Sequence, residues 1–191
     1  TNTNRVGAVT IRARNASTQE ARAVSAGAAF GGAVVGAFVD LDDTGSTRSE
    51  VGQNTNIYSN ARVTMSAEDV GKNEADAVGV AIAGGVGLSI ISSDVDLDRD
   101  TTVSIGDNAT VIGNGLTLTS TIGSSNMSHR QVTSDTIGAS GGLLVGATGS
   151  KNHINNQSDA NIVVGSNATI GANRYNSGEE QTADNSSIIA Y

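Results

Sequence analysis

Apolar and polar residues alternate along much of this chain. The alternation is regular in Val78, Val80 and Ile82, and again in Val86, Leu88 and Ile90. A period of two is typical of β-strands, because successive side chains of a strand point to opposite faces. Two alanine-rich stretches, residues 21–30 and 74–83, have a high helix propensity. Both are short, are flanked by glycine pairs and lead into β-branched residues, so we predict strands there as well.

The pattern recurs in three copies: 8–60, 61–114 and 115–173. Each copy opens with an alternating strand and later has a glycine pair followed by an apolar run. The tetrapeptide Val-Asp-Leu-Asp occurs at 39–42 and 95–98, and the run 151–156 replaces it in the third copy. Each copy closes with a Gly-x-Asn turn, at 52–54, 106–108 and 165–167. A recurring period of about 53–59 residues indicates a repeat architecture.

The Gly-x-Asn turns predict sharp corners, because glycine adopts positive φ without steric cost and asparagine tolerates the left-handed region. Strands between such corners cannot each bury a face alone, so they are expected to stack in parallel layers. Small residues at Ala26, Gly27, Ala28, Gly31 and Gly32 are predicted to point inward and let opposing walls approach closely. We expect about two or three coils per repeat, and a rod on the order of 30–45 Å long.

The composition agrees with a β-rich fold that has a core of small side chains. There are 24 glycines, no proline and no cysteine, and only 3% of the residues are aromatic. The absence of cysteine excludes disulfides and thiolate chemistry. No segment has 18 continuous apolar residues, so no membrane span is predicted. Residues 174–191 do not match the opening strand of a fourth copy and are expected to be a loop insertion, a partial cap or poorly ordered.

The net charge of −8 limits the classes of partner. A negative protein is a poor ligand for nucleic acid, so nucleic acid is not expected as a partner. The same sign opposes adsorption to anionic lipid head groups. The first residue is Thr1 and no capping element is evident, which favours a fragment of a longer chain.

The repeats resemble those of giant bacterial filamentous adhesins, the haemagglutinin-like and leukotoxin-like exoproteins. The motifs that carry the resemblance are Gly84-Gly85, residues 103–111 and residues 141–146, and the similarity covers residues 8–173. It implies an all-β fold, a right-handed parallel β-helix (β-solenoid), with residues 1–191 forming one segment. It also implies an extracellular or cell-surface location and attachment to host, neighbouring-cell or matrix surface components. The first copy has Asn54-Thr55-Asn56 where the others have Asn-Ala-Thr.

One acidic run is a candidate calcium site. Alternation places Asp94, Asp96, Asp98 and Asp100 on one face of a strand, and calcium prefers several oxygen ligands. The alternative is a solvated outer face with Val95 and Leu97 pointing inward. The run lacks the glycine and the distal glutamate of an EF-hand, and the repeat of calcium β-rolls is absent. A weaker copy of the run lies at Asp40, Asp42 and Asp43.

No arrangement of residues predicts catalysis. His129 and His153 have no spaced partner, and the few aromatic residues are scattered rather than grouped as in a sugar-binding groove. We therefore expect no cofactor other than calcium and a non-enzymatic structural or adhesive role. A self-associating filament or matrix subunit is the alternative, and a carbohydrate-active β-helix enzyme is a distant third.

Overall fold

The computed structural model describes residues 5–123, 131–174, 182–183 and 187–190. This part of the chain contains thirteen strands and no helix, so the all-β prediction is confirmed, including residues 21–30 and 74–83. The strands are β1 (Val9–Ala29), β2 (Gly32–Val51), β3 (Asn56–Tyr58), β4 (Val63–Ala83), β5 (Val86–Ile105), β6 (Thr110–Gly113), β7 (Leu116–Ile122), β8 (Gln131–Gly142), β9 (Val145–Asn156), β10 (Asp159–Val164), β11 (Thr169–Arg174), β12 (Thr182–Ala183) and β13 (Ser187–Ala190).

Each repeat contributes to the same three sheets. The first sheet has the order β1-β4-β7-β13, with β8 also paired to β4. The second has the order β10-β5-β2, with β9 also paired to β5, and the third has the order β12-β11-β6-β3. Strands from successive repeats pair in parallel, and the opening strands align as predicted, with Val9 opposite Val63 and Val63 opposite Leu116. We call the strands of one repeat a layer.

The prediction of two or three coils per repeat is wrong. Strands β1, β2, β4 and β5 are 20 or 21 residues long, and each repeat passes through each sheet once. Three layers at a strand spacing of about 4.8 Å measure about 10 Å from first to last, well below the expected rod length. The expectation failed because polar residues within the long strands, such as Ser17 and Thr18, are extended and do not form corners.

The sequence separation between paired residues of the second and third layers changes along the third layer. Val63 at the start of β4 pairs with Leu116 in β7, whereas Lys72 further along β4 pairs with Gln131 in β8. The separation in sequence between partners is therefore larger for β8 than for β7, and the same larger offset relates β5 to β9 and β6 to β11. Beyond this layer, β13 pairs in parallel with β7, with Ile188 opposite Leu118. The tail thus supplies a short strand that follows β7 in the first sheet.

The core lies between the two long sheets and, at one end, also against the third sheet. Residues of one parity along each strand point inward, and the largest cluster includes Met65, Ile105 and Leu118, all at most 1% exposed. Small residues let the walls approach, as at Gly27, where a Cβ atom would lie 2.7 Å from Val35 Cγ2. The other small residues predicted to point inward, Ala26, Ala28, Gly31 and Gly32, are exposed.

The Gly-x-Asn corners form as predicted, but the residue with positive φ is the asparagine. Asn54, Asn108 and Asn167 have φ between 54° and 57°. Glycine is required at Gly106 for another reason, since a Cβ atom there would lie 2.5 Å from the backbone nitrogen of Gln53 in the layer below. The glycines thus permit close stacking of layers, while the asparagines make the bend.

Substitutions at Asn108 measure how much the asparagine at the bend contributes to stability. Replacing Asn108 with alanine places a Cβ-bearing residue without a local polar side chain in the left-handed region, at an expected cost of about 1 kcal/mol in unfolding free energy. Replacing Asn108 with glycine is expected to be neutral within about 0.5 kcal/mol. Urea denaturation followed by circular dichroism measures both. Equal losses in the two variants would show that side-chain contacts, and not backbone conformation, select asparagine.

The glycine pairs mark a second corner, but they are not in register with one another. The pairing places residues 30–31, 84–85 and 143–144 at equivalent positions, because Ile82 pairs with Gly141 and Val86 with Val145. Only the middle layer has two glycines at this corner. A Cβ atom at Gly84 would lie 2.3 Å from the carbonyl oxygen of Phe30, so the second layer needs glycine there.

Candidate functional site

The four predicted acidic residues lie on the outer face of β5. Their inward neighbours Val95 and Leu97 are buried, as the alternative interpretation of this run required. Carboxylates also align between layers, with Asp40 opposite Asp94 and Asp42 opposite Asp96. We call this surface the acidic strip; it comprises Asp40, Asp42, Asp94, Asp96, Asp98, Asp100 and Asp159.

The geometry gives no support to a calcium site in the acidic strip. Among the described residues, no group of three or more histidine, cysteine, aspartate or glutamate side chains is placed to hold a metal ion. The residues Asp94, Asp96, Asp98 and Asp100 share a face but follow one another along an extended strand. Calcium binding therefore stays a prediction, and an unfolding midpoint that is the same in calcium and in excess chelator would exclude it.

Asp94 has the least favourable surroundings in the acidic strip. Its Oδ1 atom is shielded from solvent and has no hydrogen-bond partner among the described residues. Asp40 lies opposite it in the first layer and His153 opposite it in the third. Like charges directly opposite one another in adjacent strands are destabilising, so Asp94 is held here at the expense of stability.

We expect the substitution Asp94→Asn to stabilise the fold. It removes a like-charge contact with Asp40 and supplies a donor, for a gain of about 0.5–1 kcal/mol at low salt. Asp98→Asn is the matched control, because its opposite residue is the neutral Thr44 and its gain should be smaller. Thermal unfolding at low and high salt measures both effects. A lower midpoint for Asp94→Asn than for the parent would contradict the electrostatic interpretation.

A second set of charged residues is buried between the long sheets. The side chain of Arg99 is 8% exposed, while those of Asp43 and Asp69 are 1% and 0% exposed. Arg99 donates from Nε to Asp69 Oδ2 at 2.7 Å and from Nη1 to Asp43 Oδ1 at 3.2 Å. We call these three residues the buried ion cluster. It joins β2 of the first layer to β4 and β5 of the second.

Amide side chains complete the shell of the buried ion cluster. Asn73 Nδ2 donates to Asp43 Oδ2 at 2.8 Å, and Gln19 Nε2 donates to Asp43 Oδ1 at 3.2 Å. Arg99 Nη1 also donates to the carbonyl oxygen of Thr44 at 3.1 Å. Space for the guanidinium comes from Gly45, where a Cβ atom would lie 2.5 Å from Nη1. The arrangement pairs buried charges with donors, as burial requires, so a shift of one layer against the next would separate these charges from their partners.

The sequence interpretation missed this cluster, although the parity of the strand positions could have found it. Asp43 has the same parity as Leu41, and Arg99 the same parity as Leu97, so both occupy inward positions. Grouping Asp43 with the outward Asp40 and Asp42 is wrong for that reason. A charged residue at an inward position is the signal, because a buried charge needs a partner of opposite sign.

The one histidine that the structure describes, His153, belongs to no group of metal-binding side chains among the described residues. His153 is exposed on β9, opposite Asp94, and His129 lies outside the described residues. Within the described part of the chain, no helix is long and apolar enough to cross a membrane. Comparison with known proteins finds no matching family model, curated relative or solved structure.

Proposed function

We propose that this chain is a segment of a right-handed parallel β-solenoid that acts as a non-enzymatic shaft or adhesive segment of a large bacterial surface protein. The observation that carries the proposal is the in-register parallel pairing of successive repeats in three sheets. Such an arrangement grows by addition of layers and presents the same outward positions in each layer. We propose right-handed coiling because crossover connections between parallel β-strands are right-handed in nearly all proteins.

An adhesive or spacer role depends on extended faces rather than on a single pocket. The acidic strip continues from the first layer to the third, where Asp159 lies opposite Asp100. The buried ion cluster links neighbouring layers and would be broken by a shift of register, which favours a stiff segment. These features support the resemblance to filamentous adhesins that the sequence motifs indicate.

Adhesion can be tested with beads coated with the purified segment. The beads are expected to bind to cultured epithelial or bacterial cells in larger numbers than beads coated with the variant Arg99→Met, which keeps every outward side chain but weakens the fold. Circular dichroism of both proteins establishes which is folded. If beads coated with the folded segment bind to cells in the same numbers as uncoated beads, the adhesive role is contradicted.

Self-association is the second candidate, and open strand edges favour it. In the described part of the chain, β1 and β2 each pair with a neighbour on one side only. Unpaired backbone groups at such edges can pair with another chain. Sedimentation velocity over a range of concentrations is expected to show end-to-end oligomers if this function holds. A monomer at all concentrations would contradict it.

A further inference from the structure

The end of the molecule at the glycine-pair corner has an outer surface without a polar side chain. Along residues 24–38, 78–90 and 137–149, every outward position has glycine, alanine, valine, leucine, isoleucine or phenylalanine. Phe30 is 102% exposed, Leu143 86% and Leu144 79%. We call this end the apolar arch. Its large exposed residues are Val24, Phe30, Val34, Phe38, Ile82, Val86, Ile90, Ile137, Leu143, Leu144 and Val145.

The interior of the apolar arch is lined mainly by small and hydroxyl-bearing residues. Ser89 Oγ donates to the carbonyl oxygen of Gly79 at 3.2 Å, and Thr148 Oγ1 donates to Ser140 Oγ at 2.9 Å. At the other end of the same strands the arrangement is the usual one, with Met65 and Leu118 buried and charges outward. In water, large aliphatic residues are normally inside. The apolar arch is inverted, and this inversion points to apolar surroundings.

Charged residues mark where the apolar arch ends. The stretches 23–39, 77–93 and 136–150 contain no charged side chain. On the first sheet, Arg22, Asp76 and Asp135 form one row across the three layers at this limit, and Asp40 and Asp94 lie at the limit on the second sheet. From this row to the corner there are about eight residues, or about 26 Å at the rise of a strand.

We infer that the apolar arch docks into the interfacial region of a neutral lipid bilayer, with its corner leading. The arch protrudes and is apolar on its two faces and at its corner. A lipid phase surrounds such a protrusion, whereas a single protein partner covers one face. One face of the arch, about 26 Å by 14 Å, offers only about 370 Å², well below the ~800 Å² per partner of a stable protein interface. The area of both faces and the corner together is usable only by a medium that encloses them.

Two further features define the mode of docking and the lipid. Hydrocarbon cannot satisfy the unpaired backbone groups at the edge strands β1 and β2, so the docking is interfacial and does not span the bilayer. The acidic strip begins at Asp40 and Asp94, next to the apolar arch, and anionic head groups would repel it. Zwitterionic lipid is therefore the partner. The inference rests on the proposed function, because it names the surface that an adhesive segment would present to a cell.

A tryptophan reporter tests the docking directly, because the chain has no tryptophan. The variant Phe30→Trp places one at the corner, and Val163→Trp places one at a 50% exposed position outside the apolar arch. With phosphatidylcholine vesicles, the emission of Phe30→Trp is expected to shift to the blue by about 10 nm, while that of Val163→Trp stays unchanged. Vesicles that contain phosphatidylglycerol should give a smaller shift. Unchanged emission of Phe30→Trp with every vesicle would overturn the inference.

Vesicle flotation of the parent and of a corner variant gives the affinity. Combining Phe30→Ser, Leu143→Ser and Leu144→Ser alters only exposed side chains, so the fold is expected to persist, and flotation should weaken at least tenfold. Val6→Ser with Val163→Ser is the matched control and should float like the parent. If the parent forms dimers but does not bind vesicles, and the corner variant is monomeric, the inference is overturned and the apolar arch is the contact with a second copy. Bead attachment without flotation would contradict the lipid inference alone, whereas flotation without bead attachment would contradict only the adhesive role.

Discussion

Replacing Arg99 with methionine is expected to lower the unfolding free energy by about 3–5 kcal/mol, the cost of breaking a buried ion pair by removing one partner. Asp43 and Asp69 would lose their cation while remaining 1% and 0% exposed. The amide donors Asn73 and Gln19 hydrogen-bond Asp43 but carry no charge to balance it. Urea denaturation followed by circular dichroism measures the loss through the midpoint at constant slope.

Arg48→Met is the matched control for this experiment. Arg48 Nε lies 3.6 Å from Glu50 Oε2, and the two side chains are 61% and 50% exposed. Because exposed pairs contribute little, its substitution should cost less than about 1 kcal/mol. Adding Asp43→Asn and Asp69→Asn to Arg99→Met removes the two carboxylates that Arg99 contacts and should recover part of the stability. Equal losses in Arg99→Met and Arg48→Met would show that the buried ion cluster is not what holds the layers in register.

Leu118→Ala is expected to cost about 2–5 kcal/mol, because it leaves a cavity in the largest apolar cluster. Leu118 is fully buried opposite Met65, and its neighbours belong to strands that the rest of the fold holds in place. The cavity can close only in part, so the loss includes both the transfer free energy and the lost packing contacts. Chemical denaturation measures the difference in unfolding free energy between Leu118→Ala and the parent.

Leu143→Ala makes the same chemical change in the same repeat at an 86% exposed position. It is expected to alter the unfolding free energy by less than about 0.5 kcal/mol. The pair therefore compares the two ends of the molecule directly. A comparable loss at Leu143 would mean that the apolar arch is packed against another surface in solution, and sedimentation velocity on the same sample would identify a second copy.

The sequence predicted the strands and the alignment of layers where the side chains have a strong local preference. The opening strands pair as the repeats suggested, and the Asn turns form corners because few residues tolerate positive φ. The number of passes per repeat could not be predicted from the same patterns. Extended polar positions such as Thr18 are compatible both with a corner and with the middle of a strand, and only pairing between layers decides between them.

The register near the glycine-pair corner was also beyond the sequence pattern. Glycine pairs at 31–32, 84–85 and 141–142 look equivalent, yet the paired strands shift them by one or two positions. Which glycines are required depends on the atoms of the adjacent layer, such as the Phe30 carbonyl against Gly84. For the acidic strip, the alternation of apolar and acidic residues was enough to predict which side chains share one face of the strand. For the buried ion cluster, the inward parity of Arg99 was visible, but its partners from other strands were not.

The single passage of each repeat through each sheet has a consequence for how this chain folds. Backbone partners in neighbouring layers, such as Val9 with Val63 or Lys72 with Gln131, are separated by a whole repeat of sequence. Each pairing must therefore first close a long loop and lose its conformational entropy. Proteins dominated by such distant pairings fold in milliseconds to seconds rather than in microseconds. We therefore expect slow refolding, in which one completed layer serves as the template on which the next is laid down.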